Sequence, residues 1–205
     1  MKFIKYNNKR NLFLSVALFF TTVVTGQTKQ IKYLSGTDSK HTVQWDFFCT
    51  AGRNSGEWKK IAVPSNWEEQ GFGNYNYGRD YKIFGKNACV YDEKGMYKHS
   101  FTLPANWKGK QIQIVFDASM TDTEVKLNGN SAGPIHQGAF YRFKYDITSL
   151  LNFDKPNTLE VTISKISADA SVNNAERLAD YWVFGGIFRP VFLEATSKHP
   201  SITWG

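Results

Sequence analysis

From Thr42 onward, apolar and polar residues alternate with a period of two, in short runs broken by turn residues, and no long run keeps the helical period of 3.6. That pattern admits half-buried strands and little else. Gln111–Asp117 places Ile112, Ile114 and Phe116 on one face and Gln111, Gln113 and Asp117 on the other. Thr123–Leu127 sets Val125 and Leu127 against Glu124 and Lys126, and the following Asn128-Gly129 is the dipeptide of a type I′ hairpin turn. Met96–Leu103 puts Tyr97, His99, Phe101 and Leu103 on one face, Thr158–Ser164 does the same with Leu159, Val161 and Ile163, and Phe140–Tyr145 with Tyr141, Phe143 and Tyr145. Val43–Thr50 and Lys59–Val63 are expected to be the first strands. Ile187–Glu194 is expected to be the last, with Pro190 marking an edge or irregular start. Ala168–Leu178 has room for a helical turn. About eight strands joined by turns predict an antiparallel sandwich or jelly roll. A length of 205 residues, 41% apolar and 16% aromatic, suits one globular all-β domain and excludes a disordered, collagen-like or coiled-coil chain.

The first 26 residues read as an address rather than as fold. Lys2, Lys5, Lys9 and Arg10 form a positive segment without an acid, Leu12–Val24 is apolar, and Val24-Thr25-Gly26 offers small or modest residues before a cut at Gln27. This is the layout of a secretory signal peptide. The apolar run falls short of the ~20 residues a membrane span requires, so no span is expected, and the destination is periplasmic or extracellular. Without those four cations the chain has 21 basic against 18 acidic residues, which gives no case for nucleic acid. Export permits a disulfide, but the reading favours two unpaired thiols at Cys49 and Cys89. Two cysteines and four scattered histidines without CxxC or HExxH spacing make no zinc site, and no metal or other cofactor is expected. Glu68-Glu69 is expected to be a solvated acidic turn, and His99 a core histidine.

Two long stretches interrupt the strand rhythm, Pro64–Asp92 and Ser167–Gly186, and loops of this length on a sandwich commonly carry function. They also hold part of a set of motifs. Val63-Pro64-Ser65-Asn66-Trp67-Glu68 follows the second strand. Gly95-Met96-Tyr97 opens a strand that leads to Leu103-Pro104-Ala105-Asn106-Trp107. Val125-Lys126-Leu127-Asn128-Gly129 comes next, then Phe143-Lys144-Tyr145-Asp146-Ile147-Thr148, and last Asp180-Tyr181-Trp182-Val183-Phe184-Gly185-Gly186-Ile187-Phe188-Arg189-Pro190-Val191. In this order and spacing the chain resembles the N-terminal sugar-binding domain of glycoside hydrolase family 2, the β-galactosidase, β-glucuronidase and β-mannosidase group, over about residues 42–198.

The resemblance implies a galactose-binding-domain-like jelly roll. It divides the chain into a signal peptide (1–26), an N-terminal extension (27–41), the jelly roll (42–198) and the start of a linker (199–205). In the family an immunoglobulin-like domain and a (β/α)₈ barrel follow, and the barrel holds the two catalytic carboxyls of a retaining glycosidase. The expectation is therefore a partial chain without catalytic residues, whose partners are a carbohydrate and the missing barrel. A free-standing carbohydrate-binding module and a structural docking domain are the alternatives. Asp180 matches the family aspartate that reaches sugar hydroxyls, a task suited to an acceptor-only carboxylate. The bland alternative pairs it with Arg177 or Arg189. Trp182 is a candidate to stack on a sugar face, and Arg79, where several β-galactosidases carry an asparagine, a candidate to read an acidic sugar. Arg189 is expected to brace the loop through bidentate bonds, Asn66 to hold a turn, and Trp67 to pack beneath the sandwich edge.

Overall fold

The computed structural model describes residues 29–78 and 92–197. Residues 1–28, with the signal layout, lie outside them, as do Arg79, Cys89 and 198–205. Twelve strands run in chain order through the described residues: β1 (Gln30–Tyr33), β2 (Val43–Cys49), β3 (Trp58–Val63), β4 (Asn76–Tyr77), β5 (Lys94–Phe101), β6 (Gln111–Phe116), β7 (Thr123–Leu127), β8 (Asn130–Ser131), β9 (Phe143–Asp146), β10 (Asn157–Ser164), β11 (Trp182–Val183) and β12 (Val191–Thr196). They form a four-stranded sheet in the order β1-β12-β6-β9, a six-stranded sheet in the order β3-β2-β5-β10-β7-β8, and a separate ribbon of β11 and β4. Every pairing is antiparallel.

The two larger sheets bury a single core between them. Ile112, Ile114 and Phe116 of β6 face it together with Val191, Leu193 and Ala195 of β12. From the six-stranded sheet come Trp45 and Phe47 of β2, Tyr97 and Phe101 of β5, Val125 and Leu127 of β7, and Leu159, Val161 and Ile163 of β10. These are the inward rows read from the alternation, so the all-β antiparallel sandwich stands. At the β7–β8 hairpin, Asn128 and Gly129 have φ of 52° and 80°, the left-handed pair a type I′ turn requires.

Several boundaries differ from the sequence reading. The strand series opens earlier, because β1 pairs with β12 through Gln30↔Ala195 to Tyr33↔Phe192. Its four residues alternate, but the apolar pair Ile31 and Tyr33 faces outward and is half exposed, so the short pattern does not mark a core row. The strand expected over Phe140–Tyr145 begins only at Phe143; Tyr141 is 65% exposed, because pairing with β6 starts at Phe116↔Phe143. The final strand begins at Val191 rather than Ile187, as Gly186 has a φ of 128° and breaks the extended chain before Pro190. The helical turn is a short helix, Ala170–Glu176, capped by Asp169, whose carboxylate accepts the Ser171 N–H at 2.7 Å. His99 is only half buried and stacks on Trp45, ring centroids 4.7 Å apart. Burial, then the nearby Lys60 charge, lowers its pKa below the usual histidine value. Cys49 is a buried free thiol.

Candidate functional site

Two loops meet at one end of the sandwich, and Trp67 is the floor on which they rest. Its ring is fully buried. It lies so close to Gly185 that a Cβ there would fall 2.0 Å from a ring carbon, and a Cβ on Gly95 of β5 would fall 2.6 Å from it. The backbone ties continue the contact: Trp67 N–H donates to the Gly185 carbonyl at 3.1 Å and Ser65 N–H to the Ile187 carbonyl at 2.8 Å. Trp67 packs as the sequence suggested, and Asn66 reaches Glu69 across its turn at 3.0 Å.

Above this floor the loop after Phe72 and the segment before Gly185 zip together as the β4–β11 ribbon, with Trp182 opposite Tyr77 and Val183 opposite Asn76. The pairing turns aromatic side chains outward on one surface. Trp182 is 54% exposed and Tyr75 46%. The Trp182 ring lies 5.1 Å from Tyr77 and 5.7 Å from Tyr75, and Tyr75 lies 5.9 Å from Phe184. The Arg53 guanidinium sits 4.9 Å from the Tyr75 ring centroid while donating to the carbonyls of Gly73, Glu68 and Phe72. It braces the loop through these bonds while remaining exposed.

Asp180 is exposed at the margin of this ledge and accepts the Tyr77 hydroxyl. Tyr77 therefore joins two residues singled out from the sequence: its ring touches Trp182 and its hydroxyl meets Asp180. Arg189 does not join them. It is exposed, its guanidinium lies 5.5 Å from the Phe188 ring centroid, and among the described residues it makes no bidentate bond. Arg177, the other partner considered for Asp180, is buried against Met120 and donates to the Thr121 hydroxyl at 3.2 Å. Burial lowers the pKa of its guanidinium.

The expectation of a solvated acidic turn at Glu68-Glu69 holds for one residue of the two. Glu69 is exposed, but Glu68 is buried and ion-paired with Lys165 at 2.6 Å; both side chains are fully inaccessible. Burial raises the Glu68 pKa above the usual glutamate value, and the Lys165 ammonium pulls in the opposite direction. Glu93 joins at 3.0 Å from the same ammonium. This carboxylate pair cannot flank a glycosidic bond, because no substrate can reach it. Sequence reasoning missed Lys165 and Glu93. The signal was present for Lys165, which extends the inward row Leu159, Val161, Ile163 by one more step of two.

The fold and the ledge define a class, a jelly-roll sandwich whose exposed aromatic and acidic surface is carried on two inserted loops. Residues 38–197 match the family described as glycosyl hydrolases family 2, sugar binding domain, and the chain belongs to that family. It is 28% identical over 150 residues to the beta-galactosidase BoGH2A of Bacteroides ovatus, covering 73% of this chain and 16% of that protein. It is 30% identical to a beta-galactosidase of Priestia megaterium, covering 69% and 14%. Among solved structures it is similar to Bacteroides uniformis beta-glucuronidase 2, covalently bound to cyclophellitol-6-carboxylate aziridine, with a TM-score of 0.59 and 28% identity over 83% of this chain and 18% of that one. The chain thus spans less than a fifth of the length of these relatives.

Proposed function

We propose that this domain forms part of the sugar-facing rim of an exported family 2 glycosidase that cleaves terminal β-linked sugars, with its catalytic carboxyls on a separate barrel. The observation that carries the reading is the Tyr77 bridge, which sets the Asp180 carboxylate beside the exposed Trp182 ring. Aromatic faces stack on the C–H faces of a pyranose, and a carboxylate accepts its hydroxyls. Asp180 supplies the hydroxyl contact and Trp182 the stacking surface, while Arg79 follows Gly78 directly after this ribbon and is the candidate to meet an acidic sugar. The test is Asp180→Asn in the full enzyme. A hydrogen bond to a charged group is worth about 1.5–3 kcal/mol, so kcat/KM is expected to fall about tenfold or more with Tm unchanged. Unchanged kcat/KM rejects the contact.

A free-standing carbohydrate-binding module is the second reading, favoured by the exposure of Trp182 and Tyr75. It requires saturable binding of methyl β-galactoside or methyl β-glucuronide by the 205-residue chain alone, abolished by Trp182→Ala. Export rests on the layout of residues 1–26. Mass spectrometry of the secreted product is expected to begin at Gln27, and intact Met1 on a cytoplasmic product would refute it.

A further inference from the structure

Lys165 has no part in a sugar contact, yet it is the most deeply buried cation among the described residues. It directly follows β10, and its side chain is fully buried. An ammonium carries three donors, and each finds an acceptor: Glu68 Oε1 at 2.6 Å, Glu93 Oε1 at 3.0 Å, and the Asn74 carbonyl. The three acceptors lie on two segments: Glu68 and Asn74 at either end of the loop between β3 and β4, and Glu93 directly before β5.

The carboxylates extend the connections. Glu93 Oε1 also accepts the Asn74 N–H at 2.7 Å, so Asn74 is held by both its N–H and its carbonyl, one residue before Tyr75. The Glu68 carboxylate accepts the Gly185 N–H at 2.9 and 3.1 Å, one residue after Phe184. Both halves of the ledge are thus anchored, on adjoining backbone groups, to one ammonium. The ribbon needs such an anchor. It consists of two residue pairs, Trp182↔Tyr77 and Val183↔Asn76, and a hairpin-sized pairing of that length has no independent stability in water. The buried ammonium, in contrast, has all three donors satisfied, although Glu93 Oε2 has no hydrogen-bond partner among the described residues, and moving either loop away would strip the ammonium of an acceptor in a desolvated site.

We propose that the Lys165–Glu68–Glu93 cluster is a positioning device, which sets the Asn74–Tyr77 segment against Trp182–Gly185 and so fixes the orientation of Tyr75, Tyr77 and Trp182. The use of that ledge for sugar rests on the function proposed above, but the positioning itself is testable without a ligand. Glu68→Gln is the informative variant. Its amide oxygen can stand in for Oε1 toward Lys165, but its NH₂ is a donor where Oε2 accepts the Gly185 N–H at 2.9 Å, and the uncharged amide no longer attracts the ammonium as a carboxylate does. The remaining Lys165–Glu93 pair is neutral, which keeps the fold accessible.

The experiment is hydrogen–deuterium exchange on the full chain. The amides of Tyr77, Gly78, Val183 and Gly185 are expected to exchange at least tenfold faster in Glu68→Gln, while those of Leu159, Val161 and Ile163 in β10 change less than twofold. In Lys165→Met the effect should extend to Asn74; where that variant gives no folded protein, Glu68→Gln alone decides. Equal acceleration in β10 and the ribbon would mark a general core role and overturn the proposal, as would unchanged exchange in the ribbon. Sugar titration of the unaltered chain tests the ledge's use separately, so the two ideas can fail independently.

Discussion

At the residue scale, two glycines show two different reasons for having no side chain. Gly185 is required by space: a Cβ would fall 2.0 Å from the Trp67 ring, which is itself wedged in the core. Gly129 is required by its backbone: φ is 80° and nothing lies within 4 Å of a Cβ there. Gly185→Ala must displace a buried indole, an overpacking that costs about 1–3 kcal/mol or more, together with altered exposure of Trp182. Gly129→Ala meets only the left-handed conformation, roughly 1–2 kcal/mol. Thermal melts of both variants check the order, and the prediction fails if Gly129→Ala is the more damaging or if Gly185→Ala leaves Tm unmoved. The motif of paired glycines at 185 and 186 was legible in the sequence. That Trp67, more than a hundred residues earlier, is what Gly185 accommodates was not, because only the fold brings the two loops together.

At the element scale, legibility followed solvent asymmetry. β7 and β10 each have one dry face and one partly wet face, and β6 keeps that asymmetry except at the buried Val115, so their alternation named the core row directly. β1 carries its apolar Ile31 and Tyr33 outward and is placed by backbone pairing with β12, so its four-residue alternation is short and points away from the core. The ribbon strands are two residues each and fall below any periodic signal. β1 nevertheless closes the four-stranded sheet. Removing residues 1–34 would leave β12 as an open edge, a template for association with another chain. It would also strip the Leu34 carbonyl from the buried Trp45 indole, which donates to it at 3.1 Å. An orphaned buried donor costs about 1–3 kcal/mol, and each kcal/mol is about 2–4 °C of Tm for a chain of this size. A lower melting temperature with concentration-dependent association in sedimentation is the expected outcome. A monomer with unchanged Tm would show that β1 contributes nothing to closure.

At the scale of the whole molecule, the buried cluster ties stability to pH. The folded-state pKa of Glu68 is raised by burial, so in the folded chain it holds its proton more readily than in the unfolded one. The sign follows by linkage: this group favours folding most below its ordinary value of 4.5, and its contribution weakens as pH rises from there through the raised folded value. Relative to wild type, Glu68→Gln is therefore expected to gain stability in urea as pH rises above 4.5, and the two to converge below it. A pH-independent difference would show that Glu68 does not titrate differently in the two states. Lys165→Met leaves two buried carboxylates without their cation, and breaking a buried pair in this way costs about 3–5 kcal/mol.

The sequence by itself determined the all-β class, most core strands, the type I′ hairpin and the family, because these depend on local alternation, turn chemistry and the order of short motifs. It also singled out Asp180 and Trp182. Only the tertiary structure decided that Tyr77 joins them, that Arg189 stands apart over Phe188, and that Glu68 faces inward to Lys165. The physical reason is range. Periodicity reports which face of a strand is dry, whereas an ion pair between residues 68 and 165 depends on which distant loops the sandwich brings to the same end.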